Sequence, residues 1–177
     1  MGRNRKILIV DGYNVLRCGD GYSNLTTPDW TDDFFNFARD TLINDVALVS
    51  GRNIEATIVF DGTENILSKG ERMSVGGVDV IFSKKGVDAD QTIINMAVNL
   101  RQKGHDVIVV SSDASVQNSV MGHGVARMSA NEFCKECKTL KEDVVQSEPL
   151  KPRASSTIKS AIDKNTLNKL LEIRDNG

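Results

Sequence analysis

The sequence predicts an α/β fold with a central, mostly parallel β-sheet flanked by helices. Three runs rich in β-branched residues, over residues 7–10, 56–60 and 107–112, are each followed directly by an aspartate. Segments in which apolar residues recur at helical spacing separate these runs. Strands that alternate with helices are typical of parallel sheets, because a helical crossover returns the chain to the edge where the next strand begins.

The first half of the chain predicts three strands and one long helix. The elements are, in order, a strand over residues 6–10, a loop over 19–29, a helix over 31–50, a strand over 56–60, a loop over 62–77 and a strand over 78–82. Thr31 or Asp32 can cap the helix, and Gly51 ends it. Residues 62–77 show no clear periodicity and include four glycines, which is typical of a loop that contacts a substrate.

The second half of the chain predicts three helices and two strands. They are a helix over residues 89–103, a strand over 107–111, a helix over 114–121, a short strand over 125–128 and a helix from Ser129 to about Lys141. Gly104 ends the first of these helices. Ser129 and Glu132 have the spacing of a capping box, which predicts where the last helix begins.

The chain of 177 residues predicts one domain with an appendage. We assign residues 1–143 to the domain and residues 144–177 to a linker and C-terminal tail, because Pro149 and Pro152 follow a change in composition. Leu and Ile at helical spacing predict a short helix over residues 165–174. Contact of this tail with RNA or another partner and a solvated, partly disordered tail are equally compatible with its mixed charge.

The overall composition excludes several classes of protein. Hydrophobic residues make up 40% and charged residues 26% of the chain, as in soluble globular proteins. The net charge of −2 argues against a protein that packages nucleic acid without sequence specificity. No apolar stretch reaches about 18 residues, so we expect no membrane span.

The three cysteines predict a cytoplasmic protein with reduced thiols, because their number is odd and no secretory signal precedes the first strand. Cys134 and Cys137 form a single C-x-x-C pair inside a predicted helix, without a second pair of ligands. We therefore interpret them as ordinary thiols rather than a zinc or redox site.

Aspartates follow the predicted strands at what should be a single edge of the sheet. Asp11, Asp61 and Asp113 come directly after β-branched runs, and Asp88 and Asp90 open the helix after the strand over residues 78–82. Ligands of open parallel sheets bind beyond the carboxyl ends of the strands. Gathered carboxylates repel one another unless a cation joins them, and oxygen ligands suit Mg²⁺ or Mn²⁺.

The metal ligands predicted from this pattern are Asp11, Asp61, Asp90 and Asp113. Residues two apart do not share a helix face, so one of Asp88 and Asp90 should face the site while the other caps the helix or faces solvent. We select Asp90, with Asp88 as the alternative. Asp113 is itself a good helix cap, which is the alternative role for its carboxylate. Divalent ions held in this way can activate water and stabilise displacement at a phosphodiester.

Further polar side chains are candidates for the same site. Asn14 lies just beyond Asp11, where its amide can orient a water molecule or a phosphate oxygen, or can simply cap a turn. Ser111 and Ser112 can present hydroxyl groups to the site or cap the next helix. The candidate substrate-binding residues are Tyr13, Ser112, Arg72, Lys84 and Lys85. Tyr13 can stack on a base or fill the core, and the three cations can hold phosphates or be solvated.

In these residues the chain resembles the NYN family of nuclease domains with a PIN-like fold, and specifically its YacP-type branch. Four segments carry the resemblance in the right order over roughly residues 6–140: ILIVDGYNVL, ATIVFDG, VDVIFSKKGVDADQTI and VIVVSSDASVQNSVMGHGVARMSANEF. The resemblance implies a three-layer fold in which acidic residues bind a divalent metal. It maps the catalytic positions onto Asp11, Asn14, Asp61, Asp90 and Asp113, and it implies a ribosome-associated endoribonuclease that cuts mRNA.

Gly62 stands where other members of the family often carry a larger residue, and the loop that follows it contains several glycines. These features affect the expected substrate contacts rather than the metal site. The leading hypothesis is therefore a metal-dependent endoribonuclease that acts on mRNA at the ribosome. The alternative is a catalytically inactive module of the same fold that binds RNA or the ribosome, and the modest net charge motivates it. A phosphatase of the haloacid-dehalogenase type is disfavoured, because Tyr13 stands where the second aspartate is needed.

Overall fold

A mostly parallel sheet forms the centre of the computed structural model, which describes residues 4–22, 32–51, 53–62, 72–83 and 87–147. Within these residues the strands are β1 Lys6–Asp11, β2 Ile54–Phe60, β3 Arg72–Val75, β4 Val78–Phe82, β5 Asp106–Val110 and β6 Ala126–Met128. The helices are α1 Gly12–Cys18, α2 Asp32–Ser50, α3 Ala89–Gln102, α4 Ala114–Met121 and α5 Ala130–Ser147. The strand order is β3-β4-β2-β1-β5-β6, and only the β3–β4 pair is antiparallel. The predicted α/β fold is confirmed.

The helices cover both faces of the sheet because side chains alternate along each strand. Leu8 and Val10 of β1 belong to a buried cluster that they share with α1, α2 and α5. Ile7 and Ile9 point to the other face and pack with α3 and α4. The sheet therefore lies between two helical layers, as a three-layer PIN-like fold requires.

The register of the parallel strands places their carboxyl ends side by side. Val10 aligns with Ile58 of β2 and with Val110 of β5, and Ile58 aligns with Val80 of β4. The segments that follow these four strands therefore meet at one edge of the sheet, where ligands of open α/β sheets bind.

One predicted loop was partly wrong, since residues 72–75 form the edge strand β3. Gly76 and Gly77 join β3 to β4 with φ angles of 60° and 84°. A two-residue hairpin whose central residues both have positive φ strongly favours glycine. All four residues of β3 are exposed, so they show no alternation of buried and exposed side chains that periodicity could detect.

The other predicted elements differ from the structure mainly at their ends. The helix predicted to end at about Lys141 continues to Ser147, and α1 is an additional short helix directly after β1. The predicted helix over residues 165–174 lies outside the described residues. The chain divides into two compact units, Met1–Glu142 and Asp143–Gly177. Among the described residues, no helix is long and apolar enough to cross a membrane.

A buried tyrosine that follows α1 and a lysine of α5 contact the same aspartate of α2. Tyr22 is 2% exposed, and its hydroxyl donates a hydrogen bond of 2.8 Å to Oδ2 of Asp45. Lys141 lies 2.5 Å from Oδ1 of the same carboxylate. Burial and then the neighbouring Asp45 carboxylate raise the pKa of Tyr22, so the hydroxyl remains a donor throughout the physiological range.

We expect the Tyr22→Phe substitution to destabilise the fold by about 2 kcal/mol, because it leaves a buried carboxylate oxygen without its donor. Urea unfolding of Tyr22→Phe, Asp45→Asn and the double variant measures the coupling between the two side chains. The expected coupling energy is about 1 kcal/mol. Additive effects of the two single substitutions would show that the contact contributes nothing specific.

Candidate active site

Five aspartates line a cavity of about 270 Å³ at the carboxyl edge of the sheet. Asp11 is the last residue of β1, and Asp61 follows β2. Asp113 follows β5, and Asp88 and Asp90 begin α3 after β4. The remaining lining residues are Tyr13, Asn14, Arg17, Cys18 and Ala89. The four predicted metal ligands are therefore brought together from four adjacent strands.

Asp11 is the most buried of these carboxylates, with 6% of its surface exposed. Its Oδ1 accepts a hydrogen bond of 3.2 Å from the backbone N–H of Asn14, so it is the N-cap of α1. The hydroxyl of Ser111 donates to its Oδ2 at 3.0 Å. Burial raises the pKa of Asp11 to about 6, the carboxylates of Asp90 and Asp113 add to this rise, and the two hydrogen bonds oppose it. In its ionised form, Asp11 therefore lowers the stability of the folded chain.

The structure separates the roles of Asp88 and Asp90. Oδ1 of Asp88 accepts a hydrogen bond of 3.1 Å from the backbone N–H of Asp90, which makes Asp88 the N-cap of α3. Burial raises the pKa of Asp90, and the carboxylates of Asp88, Asp113 and Asp61 raise it further. The pKa of Asp90 therefore depends on the carboxylates at the other strand ends. Both Asp88 and Asp90 line the cavity.

Asp113 caps α4 and lines the cavity at the same time. Its Oδ1 accepts hydrogen bonds from the backbone N–H groups of Ser115 at 2.7 Å and Val116 at 3.2 Å. The helix cap, which was the alternative role predicted for Asp113, is therefore observed. The carboxylate also lines the cavity, and its role as a metal ligand stays a prediction.

Ser83 fixes the backbone around Asp61. Its backbone N–H donates to the carbonyl of Phe60 at 2.9 Å, and its hydroxyl accepts from the N–H of Gly62 at 3.0 Å. Ser83 is 2% exposed and follows β4 directly. This contact was missed from the sequence, because a serine at a strand end has no signal that distinguishes it from an ordinary turn residue.

A second group of hydrogen bonds connects Asn14 to the segment after β5. Oδ1 of Asn14 accepts from the backbone N–H of Ser112 at 2.7 Å, and Oγ of Ser112 accepts from the N–H of Ala130 at 3.0 Å. Oγ of Ser111 accepts from the N–H of Asp113 at 3.1 Å while it donates to Asp11. Asn14 and Ser111 therefore hold Asp11 and Asp113 in a fixed relation.

The predicted substrate-binding residues do not all lie at the cavity. Tyr13 lines the cavity but is 7% exposed and contacts Phe60 edge to face, with ring centroids 5.3 Å apart. Ser112 is exposed beside Asn14. Arg72 lies on β3, where it pairs with Asp79 on the neighbouring strand rather than lining the cavity. Lys84 and Lys85 lie outside the described residues. Arg17 lines the cavity and was not predicted.

The donor set fits a hard divalent cation, because carboxylate oxygens are the ligands that Mg²⁺ and Mn²⁺ prefer. Among the described residues, no three His, Cys, Asp or Glu side chains are already arranged as a metal cage. A cation held by three of these carboxylates would therefore require their side chains to change conformation. All three cysteines are free, and burial raises the pKa of Cys134 and raises that of Cys137 to about 12, which agrees with ordinary thiols.

Comparison with known proteins points to one family. The model of the YacP-like NYN domain matches residues 8–175. The protein YacP of Bacillus subtilis strain 168 is 28% identical over 138 residues, which are 78% of each chain. A crystal structure of Rae1 (YacP) from Bacillus subtilis has a TM-score of 0.64 and 25% identity over 96% of this chain and 92% of that one. A single-substitution mutant of the same protein gives 0.62 and 29%, with 80% of each chain covered.

Proposed function

The chain belongs to the YacP-like NYN domain family, and from this premise we propose that it is a metal-dependent endoribonuclease that cuts mRNA in association with the ribosome. The family resemblance is what suggests a nuclease and a ribosomal setting in the cytoplasm. The proposal for this chain rests on one observation. Asp11, Asp61, Asp90 and Asp113 line the same cavity. A fold does not by itself specify a reaction, so the site must support the assignment.

The electrostatics of the cavity favour a bound cation over a purely structural role. Burial and neighbouring carboxylates raise the pKa values of both Asp11 and Asp90. A divalent cation held by Asp11, Asp61, Asp90 and Asp113 would remove this repulsion, and it would supply an activated water and charge stabilisation at a phosphodiester. An acidic cavity without a cation would instead repel the phosphates of RNA.

The chain's own residues keep the carboxylates in place for this reaction. Asp11 and Asp113 each cap a helix, so their backbones are fixed at the strand ends. Ser111 bridges the two, and Ser83 restrains the turn that carries Asp61. Positioning of the reacting groups in this way is a large part of the catalysis of phosphoryl transfer.

Cleavage of a single mRNA tests the proposal, with purified protein, in EDTA, Mg²⁺ or Mn²⁺, and with or without translating ribosomes. The nuclease hypothesis predicts internal cuts that require the metal. The ribosomal part of the proposal predicts that cutting is faster on translated mRNA than on free mRNA. Cosedimentation with ribosomes without cutting in any metal would instead support the inactive binding module.

The Asn14→Ala variant should lose about 10- to 100-fold in kcat, because the segment that carries Asp113 loses its anchor at Ser112. The Asn14→Asp variant keeps an acceptor for the Ser112 N–H but adds a carboxylate to an acidic cavity. If Asn14 acts only as this anchor, Asn14→Asp should retain more activity than Asn14→Ala at saturating Mn²⁺. Equal losses in both variants would mean that the amide group itself contacts water or substrate.

A further inference from the structure

Arg17 is a cation in a cavity whose other charged lining residues are aspartates. It lies in the last turn of α1 and lines the cavity together with Asp11, which caps the same helix. Its side chain is exposed, so the guanidinium faces solvent rather than the core. A positive side chain beside five carboxylates offsets part of their mutual repulsion, and it is also a group that attracts a phosphate.

The position of Arg17 is set by two rigid features. Arg17 is in the last turn of α1, and because helical side chains lean toward the helix N-terminus, its guanidinium reaches back along α1. The guanidinium carbon of Arg17 lies 5.7 Å from the centroid of the Tyr13 ring, within the range of a cation–π contact. Tyr13 is itself buried against Phe60. The Tyr13 ring therefore orients the guanidinium in the cavity that Asp11 also lines.

An arginine beside the carboxylates gives the cavity a contact for the phosphate backbone of a nucleic acid as well as for a metal ion. Arginine suits this role, since its planar guanidinium can donate two parallel hydrogen bonds to a phosphate.

We propose that Arg17, supported by the ring of Tyr13, binds a backbone phosphate of the RNA in the cavity and so helps to hold the strand beside the carboxylates. This inference rests on the proposed nuclease function. It assigns Arg17 to substrate binding rather than to the chemical step. The Tyr13 ring then acts as a support for the guanidinium and not as a stacking platform for a base.

Binding of a short single-stranded RNA to the full chain tests the inference without relying on cleavage. The assay is fluorescence anisotropy in Mn²⁺ over a range of salt concentrations, with Arg17, Arg17→Gln and Arg17→Lys each in an Asp113→Asn background, which should bind RNA without cutting it. Arg127→Gln is the matched control, because Arg127 is an exposed arginine on β6 that does not line this cavity. Each phosphate contact to a single strand contributes about 0.7 to the slope of log K against log salt.

We expect Arg17→Gln to weaken binding about 10-fold and to reduce the salt slope by about 0.7, and Arg127→Gln to change neither. Arg17→Lys should keep the slope but lose affinity, because an ammonium group lacks the planar pair of donors. Cleavage in Mn²⁺ should show a raised KM for Arg17→Gln with kcat within about two-fold of native. Thiol labelling of the neighbouring Cys18, resolved by mass spectrometry, should be slowed by bound RNA in the native chain.

An unchanged affinity and salt slope in Arg17→Gln would overturn the inference, as would the absence of RNA binding by the Asp113→Asn chain that keeps Arg17. A loss of kcat without a change in binding would also overturn it, since Arg17 would then serve the chemical step. RNA binding that depends on Arg17, without cleavage in any metal, would uphold this inference while rejecting the nuclease proposal. The phosphate-binding role of Arg17 and the nuclease function would therefore be contradicted by different measurements.

Discussion

We expect Asp11→Asn to reduce RNA cleavage at least 1,000-fold at saturating Mn²⁺, a loss of about 4 kcal/mol in transition-state stabilisation. Asp11 is the most buried carboxylate of the cavity, and it lies between the strand ends that carry Asp61 and Asp113. Asparagine keeps the acceptor that caps α1, so the fold should survive the change. Steady-state cleavage of one labelled RNA by both proteins measures the effect.

The same substitution should stabilise the metal-free protein, which distinguishes a functional carboxylate from a structural one. Burial raises the pKa of Asp11 from an ordinary value of 3.8 to about 6 in the folded chain. The stability contributed by its protonation is fully present below the unfolded pKa and is lost as the pH rises through about 6. At pH 7.5 the ionised group therefore opposes folding, and its replacement should raise the free energy of unfolding by about 2 kcal/mol.

Urea unfolding in EDTA at pH 7.5 and pH 4 checks this prediction, with Asp40→Asn as the control because Asp40 is exposed on α2. The stabilisation of Asp11→Asn should shrink toward pH 4, while Asp40→Asn should stay close to native at both values. Mn²⁺ should then stabilise the native chain and have little effect on Asp11→Asn. A destabilised Asp11→Asn at pH 7.5 would show that its carboxylate serves the fold.

The second large effect is expected from Gly12→Ala, which should lower the free energy of unfolding by about 3 kcal/mol. A Cβ at Gly12 would lie 2.4 Å from Cε1 and 2.5 Å from Cδ1 of the Phe60 ring. Phe60 is fully buried, contacts Tyr13 edge to face and stacks on Phe82 with centroids 5.6 Å apart, so its ring cannot move aside. Either the ring or the start of α1 must shift.

Thermal unfolding tests this prediction, with a fall in Tm of roughly 6–12 °C expected for a chain of this size. Gly122→Ala is the matched control, because nothing lies within 4 Å of a Cβ at Gly122 and its φ of −61° suits alanine. Its stability should stay within about 0.5 kcal/mol of native. A native-like Tm for Gly12→Ala would contradict the close packing of α1 on β2.

The central sheet and the aspartates at its carboxyl edge could be predicted from the sequence, because runs of hydrophobic residues indicate buried strands. The runs before Asp11, Asp61 and Asp113 are buried central strands, and parallel order brings their ends together. The edge strand β3 could not be predicted, since its stability comes from pairing with β4 across the Gly76–Gly77 turn rather than from burial. Sequence periodicity indicates which side chains are buried, and all four residues of β3 are exposed.

The hydrogen bonds around the site were beyond sequence reasoning for a related reason. Asn14 and Ser112 are 98 positions apart, and Asp11 and Ser111 are 100 positions apart, so only the parallel pairing of β1 and β5 brings them together. The structure was also needed to show that Asp88 caps α3, because either Asp88 or Asp90 could have done so. Both line the cavity, so the choice of Asp90 as a metal ligand stays a prediction. Arg17 was not predicted, because a single arginine in a short helix forms no sequence pattern that indicates a binding site.

The most direct test of the central claim is the cleavage pattern of one mRNA, labelled at both ends and presented on translating ribosomes. Native protein, Asp113→Asn and Asp40→Asn are compared in Mn²⁺ and in EDTA. We predict internal fragments from native protein and from Asp40→Asn in Mn²⁺ only, and none from Asp113→Asn. The same internal fragments in EDTA, or undiminished cleavage by Asp113→Asn, would contradict a metal-dependent nuclease site at the aspartate cavity.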